Sequence, residues 1–169
     1  MLSSRSDILV RDAKPADAPA LAAVFVASWT NAYRGIIPHS NLEGIVRRRD
    51  VAWWRTQIRS GDTILVVETS GVIAGYASCG AARARGSQQG EIYELYLAPN
   101  YQGLGFGEHL FEACRYRLDD RRLKGLIVWA LADNEGAISF YERRGGRKVA
   151  RISERFGRTK LEKVALGWG

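Results

Sequence analysis

The segment Gln102-Gly103-Leu104-Gly105-Phe106-Gly107 sets three glycines at alternate positions just before a helix-forming run. Lacking Cβ atoms, such a loop lets backbone N–H groups converge on an anion at close range. A helix N-terminus just beyond it adds free N–H donors and the positive end of a dipole. This is a cradle for phosphate or pyrophosphate, or else only a tight strand-to-helix turn. A dinucleotide fingerprint starting at Gly103 or Gly105 needs a third glycine where Glu108 or Leu110 stands. A P-loop needs Gly-Lys-Ser/Thr at its end, and the chain reads Gly107-Glu108-His109. Both fail, so the loop suits a pyrophosphate that is held and not cleaved.

Two carboxylates and a phenol are the other groups able to move protons. Glu91 and Glu94 share one strand-like run. In a regular strand their spacing points them to opposite faces, and a bulge between them would change that parity. Tyr141 is a phenol near pKa ~10, protonated at neutral pH, or a core aromatic beside Phe140. His39 and His109 are alternative bases, His109 more naturally a structural residue of its helix. Cys79 and Cys114 are too few for a disulfide framework and too far apart for a metal knuckle, and read as buried small hydrophobes. No spacing of His, Cys and acids suggests a metal.

The elements that must position these groups follow from pattern. Ile8 to Arg11 is a strand candidate. A helix with Asp17 as N-cap runs to about Tyr33, and a second covers Asn41 to Arg59. Thr63–Glu68 and Val72–Cys79 flank Ser70-Gly71 as a hairpin, and Glu91 to Ala98 is a further strand. Leu104, Leu110, Phe111, Cys114 and Leu118 fall on one helical stripe, in a helix ended by Gly125. The apolar run Leu126 to Ala132 predicts a strand covered on both faces. Asp133 or Asn134 caps a short helix through Arg143, closed by Gly145-Gly146. Strands at Lys148–Ser153 and Lys160–Gly167 finish the chain around a Gly157 turn. The order βααβββαβαββ predicts an α/β domain with a mixed central sheet of about seven strands and helices on both faces, with no doubly wound nucleotide fold.

The 169 residues point to one domain spanning 1–169, and 46% apolar with 25% charged residues is ordinary for a soluble protein. The greasiest stretch, Pro19 to Trp29, is far shorter than the ~20 residues that span a bilayer. No secretory signal is evident, so no membrane is expected and the cytoplasm follows by default. The net charge of +7 comes mainly from arginine, with runs at Arg47–Arg49, Arg121-Arg122 and Arg143-Arg144. It fits solvated helix faces, a nucleic-acid footprint or attraction of a polyanionic small molecule.

The run ELYLAPNYQGLGFGEHL resembles the acetyl-CoA-binding motif of the GNAT N-acetyltransferase superfamily, whose Gln/Arg-x-x-Gly-x-Gly/Ala signature is met by Gln102, Gly105 and Gly107. Downstream, ALADNEGAISFYERRGG resembles the family unit of Asn, Tyr seven residues later, then Gly: Asn134, Tyr141 and Gly145. The front, with Arg11, Ala13, Asp17 and the stretch Trp29 to Pro38, is also similar, so the resemblance covers residues 8 to 166.

The resemblance implies acetyl transfer from acetyl-CoA to a primary amine by direct attack in a ternary complex. It implies that Leu95, Tyr96 and Leu97 lie on a strand splayed at a bulge and pair with the pantetheine arm. The pyrophosphate donors would be the N–H groups of Gly103, Leu104, Gly105, Phe106, Gly107 and Glu108, with Asn134 on the arm and Tyr141 as acid for the thiolate. A free alkyl amine near pKa ~10.4 is only about 0.1 % neutral at pH 7.4, so a carboxylate base, Glu91 or Glu94, is worth roughly 10²–10⁴ in rate. Cys114 on the apolar stripe makes an acetyl-cysteine route improbable. The acceptor is a small-molecule or peptide amine, Trp29, Tyr33, Trp53, Trp54 and Phe156 forming either an aromatic acceptor pocket or core. The superfamily also allows a homodimer. The alternatives are a silent acetyl-CoA sensor, against which Tyr141 and Asn134 speak, and a basic nucleic-acid binder, for which no motif is found.

Overall fold

A computed structural model of the chain describes residues 7–169. Seven strands form one mixed sheet in the order β1-β2-β3-β4-β5-β7-β6. The strands are β1 Ile8–Asp12, β2 Thr63–Thr69, β3 Val72–Ala81, β4 Gly90–Leu97, β5 Leu126–Leu131, β6 Arg147–Phe156 and β7 Thr159–Trp168. The helices are α1 Ala18–Tyr33, α2 His39–Arg48, α3 Val51–Arg59, α4 Phe106–Asp120 and α5 Glu135–Arg143. The order is the expected one with an extra helix.

Strands apolar at nearly every position are covered on both faces. Along β2, Leu65 and Val67 pack into a core with Leu110, Phe111, Cys114 and Leu118 of α4. Ile64 and Val66 alternate onto the opposite core, with Leu21 and Phe25 of α1 and Trp54 of α3. The β2–β3 hairpin turns at Ser70 and Gly71, both at positive φ (49° and 77°), as a tight turn matched to strand twist requires.

Two features of β4 shape everything that follows. On one side it pairs with β3, where Ser78 opposes Glu94 and the next residue, Cys79, opposes Ile92. Tyr93 is thus the extra residue of a bulge. On the other side β4 pairs in parallel with β5 only at Gly90–Leu126, Glu91–Ile127 and Ile92–Val128. Beyond Ile92 the two strands part.

The helix expected over Asn41 to Arg59 is broken into α2 and α3. Arg49 leaves helical geometry (φ −95°, ψ 55°), and the extended Asp50 accepts the Trp53 N–H on its carboxylate at 2.9 Å. The apolar spacing runs through the break unchanged, but the aspartate starts a new helix. Asp50→Ala should therefore lower stability by about 1 kcal/mol in a urea or thermal melt, the usual worth of an N-cap.

Three other expectations are corrected. Asp17 does not cap α1 with its side chain. A 3-10 turn, Pro15–Asp17, leads into α1, and the carboxylate accepts the Lys14 N–H (2.7 Å) and the Arg11 guanidinium (2.7 and 3.0 Å) instead. The Arg11 guanidinium holds the Asp17 carboxyl below the usual carboxylate range. Leu104 lies outside α4 and is 62% exposed, because the left-handed Gly105 starts the helix after it. α4 ends before Gly125, with Arg122 taking the left-handed turn (φ 57°). Among the described residues no helix is long and apolar enough to cross a membrane.

Candidate active site

The parting of β4 and β5 opens a cavity of about 450 Å³. Ten of the expected ligand-binding residues line it: Leu95, Tyr96 and Leu97 on β4, Gln102, Gly103, Gly105, Gly107 and Glu108 in the loop and first turn of α4, and Asn134 and Tyr141 on α5. Leu104 and Phe106 do not. The Leu104 side chain is exposed, and Phe106 is buried against Tyr101, ring centroids 5.8 Å apart.

The loop has the form of an anion cradle. Gly103 and Gly105 have φ of 76° and 89°, and a Cβ on either would meet nothing within 4 Å. The space in front of the loop is open, and the first N–H groups of α4 have no partner within the helix. A bound pyrophosphate fits this geometry. Gly107 has another reason to be glycine, since its Cβ would lie 3.1 Å from the Phe140 ring.

At the mouth of the loop the Glu108 carboxylate meets Arg144 at 2.6 Å. Arg144 lies over the Phe140 ring, 3.8 Å from its centroid, and donates to the Phe140 carbonyl at 2.8 Å. Arg144 thus pairs with the acid that lines the cradle. The sequence showed it only as half of a basic run.

Asn134 caps α5, its Oδ1 accepting the Ala137 N–H at 3.3 Å. Two turns on, Tyr141 is 5% exposed among Phe111, Phe140 and Trp168. Among the described residues its hydroxyl has no hydrogen-bond partner. Burial pushes its phenol well above the ordinary value, so it keeps its proton throughout any working pH.

A second cavity, about 1020 Å³, is lined by all five expected aromatics, Trp29, Tyr33, Trp53, Trp54 and Phe156. Tyr96 lines both cavities and so stands between them. Glu94 opens onto the larger one. Its carboxylate is held by both ends of the Arg49 guanidinium (2.7 and 2.9 Å) and by the Tyr76 hydroxyl at 3.1 Å. Arg49 reaches it because the α2–α3 break turns that residue inward, between Trp53 (4.3 Å) and Phe25 (4.6 Å).

Glu91 is placed differently. It opposes Gly80 while Glu94 opposes Ser78, so the bulge brings both glutamates to one face. Glu91 nevertheless lines neither cavity. It is 1% exposed, and its carboxylate takes the backbone N–H of Arg83 (3.0 Å) and the Arg83 guanidinium (2.7 Å). His39 is exposed, 3.4 Å from Glu43, and His109 is exposed on α4; neither lines the two cavities. Cys79 and Cys114 are free and buried. Among the described residues no group of three or more His, Cys, Asp or Glu is placed to hold a metal.

Known proteins resemble this chain in sequence and in fold. The chain is 28% identical over 162 residues to the uncharacterized N-acetyltransferase YuaI of Bacillus subtilis, covering 95% of this chain and 92% of that protein. A GCN5-related N-acetyltransferase from Rhodopseudomonas palustris superposes with a TM-score of 0.76 at 26% identity, covering 96% and 95% of the two chains. The paiA N-acetyltransferase of Thermoplasma acidophilum, solved in complex with coenzyme A, shares the fold with a TM-score of 0.75 at 18% identity, over 93% and 97%. The model of the acetyltransferase (GNAT) family matches residues 26–146, a span holding the parted strands, the glycine cradle and the Asn134–Tyr141 helix. The chain belongs to that family and is an acetyl-transferring enzyme.

Proposed function

We propose that the chain is one N-acetyltransferase domain that moves acetyl from acetyl-CoA to a primary amine, by direct attack with both substrates bound. The observation that carries this reading is that Tyr96 lines two cavities, one with an anion cradle and an unspent phenol, the other with a carboxylate. Acetyl-CoA, when bound, supplies the activated acetyl thioester. The N–H groups from Gly103 to Glu108 hold its pyrophosphate, and the unpaired edge at Leu95, Tyr96 and Leu97 holds the arm, with Asn134 across from it. Tyr141 donates its hydroxyl hydrogen towards the departing sulfur. Its raised pKa makes it a poorer acid than a free phenol but a permanent hydrogen-bond donor. The acceptor, a small-molecule or peptide amine, enters the larger cavity, and Glu94 receives its proton directly or through water. The free thiols suit a reducing compartment such as the cytoplasm.

Release of free thiol from acetyl-CoA, dependent on both enzyme and amine, tests the reading. A panel of amines that never raises thiol release above background would overturn it. The same assay assigns the base. Glu94→Gln should lower kcat/KM by roughly 10–10² at low pH. The deficit should shrink as pH rises, because more acceptor is then already neutral. Glu91→Gln should keep the wild-type pH profile and instead lower the melting temperature, since it removes a buried carboxylate that holds the Arg83 guanidinium and backbone N–H. If neither variant changes the profile, neither carboxylate is the base.

A further inference from the structure

The larger cavity carries its charges in an unusual form. Of the four cations that line it, three lie over an aromatic ring: Arg49 on Trp53 (4.3 Å), Arg83 on Tyr93 (4.6 Å) and Lys163 near Trp129 (5.8 Å). Each is also paired to a carboxylate, with Glu94, Glu91 and Glu154 at 2.7, 2.7 and 3.2 Å. The other charged residues of the lining, Arg48 and Asp62, are exposed.

A cation binds an aromatic cleft through the negative faces of rings and through free carboxylates. Here one face of three rings is covered by the protein's own cations, and the carboxylates Glu94, Glu91 and Glu154 each already answer one positive charge, Glu94 keeping its role as proton acceptor. Apart from the exposed Asp62, a polycation would have to displace Arg49, Arg83 or Lys163 to find a carboxylate. What remains open is apolar. Trp29, Trp53, Tyr96, Trp129 and Phe156, from α1, α3, β4, β5 and β6, are only half-buried along this wall. So much partly wetted aromatic surface facing one cavity marks a binding site for an apolar, flat partner.

We infer that the acceptor is a monoamine carried on an aromatic body, with no second positive charge. This rests on the acetyltransferase reading above and adds the substrate class. The rings select the body by stacking and edge contacts, while the self-paired charges reject polyamines, aminosugars and lysine-rich peptides. The amine reaches Glu94, two residues from Tyr96 on β4, the residue that lines both cavities.

The test compares kcat/KM for tryptamine, 2-phenylethylamine, hexylamine and spermidine at saturating acetyl-CoA and one pH. Both aromatic amines should exceed hexylamine and spermidine by at least about tenfold, the equivalent of about 1.4 kcal/mol. Trp129→Leu and, separately, Phe156→Leu should each cut the tryptamine-to-hexylamine ratio several-fold. The thermal shift with acetyl-CoA shows that each variant is folded with its cradle intact. Spermidine as the better acceptor, or a ratio that neither variant moves, would overturn the inference while thiol release left the acetyltransferase reading standing. If acetyl-CoA gives no thermal shift and no amine releases thiol, the acetyltransferase reading fails and this inference falls with it.

Discussion

Gly105→Val should erase the stabilisation that acetyl-CoA gives the protein. At a hundredfold excess over Kd, a ligand bound only by the native state adds about 2.7 kcal/mol, readable as a rise in melting temperature. Gly105 is the residue on which the cradle turns, at φ 89° and ψ 0°, immediately before the first N–H donors of α4. Its Cβ position meets no atom of the protein within 4 Å. A side chain there clashes with nothing in the free protein and instead fills the space a phosphate needs. The variant also forces a β-branched residue into left-handed backbone, which costs roughly 1–2 kcal/mol. Two effects are thus expected together, a lower melting temperature without ligand and no rise with it. Valine at 105 with an undiminished ligand shift would mean that the anion sits elsewhere.

The second large effect is on chemistry alone. Tyr141→Phe should lower kcat by roughly 10–10³ and leave acetyl-CoA binding in place. The hydroxyl has no partner among the described residues, so its removal breaks no internal hydrogen bond. The ring keeps its packing against Phe111, Phe140 and Trp168. Folding stability should therefore hardly change, which separates this variant from a core mutation. Burial raises the phenol, so the group stays protonated below that raised value and its own ionisation should not appear as an alkaline fall in rate. An unchanged kcat would show that the thiolate leaves without help or that another step limits turnover.

The parts of the site legible in the sequence were those encoded locally. Gly103 and Gly105 announce positive φ because only glycine adopts it cheaply, and the structure has them there. Asn134 and Tyr141 lie one helix apart, so their spacing alone puts them on the same cavity wall. The aromatics of the larger cavity were named as a group, although Trp54 and Tyr33 prove to be buried in the core as well as lining it. What escaped was non-local. Arg49 reaches Glu94 across forty-five positions of sequence, through a helix break that apolar periodicity conceals. The parity of Glu91 and Glu94 was undecidable until pairing with β3 showed Tyr93 to be the surplus residue. Arg144 looked like solvated charge because its partners, Glu108 and the Phe140 ring, come from two different elements.

The three-residue join between β4 and β5 also bears on how the chain folds. β1 to β4 are antiparallel and, from β2 onward, consecutive hairpin neighbours, so most of their pairing closes short loops. The β4–β5 ladder is the sheet's parallel pair, and it needs the whole of α4 laid down between its strands. Such closures are entropically slow and normally dominate the time a mixed sheet takes to form. By keeping that ladder to three rungs, the chain rests few backbone hydrogen bonds on this non-local parallel contact. The two halves of the sheet are joined instead through a shared core, in which Leu110, Phe111 and Leu118 of α4 sit with Leu65 of β2 and Leu126 and Val128 of β5.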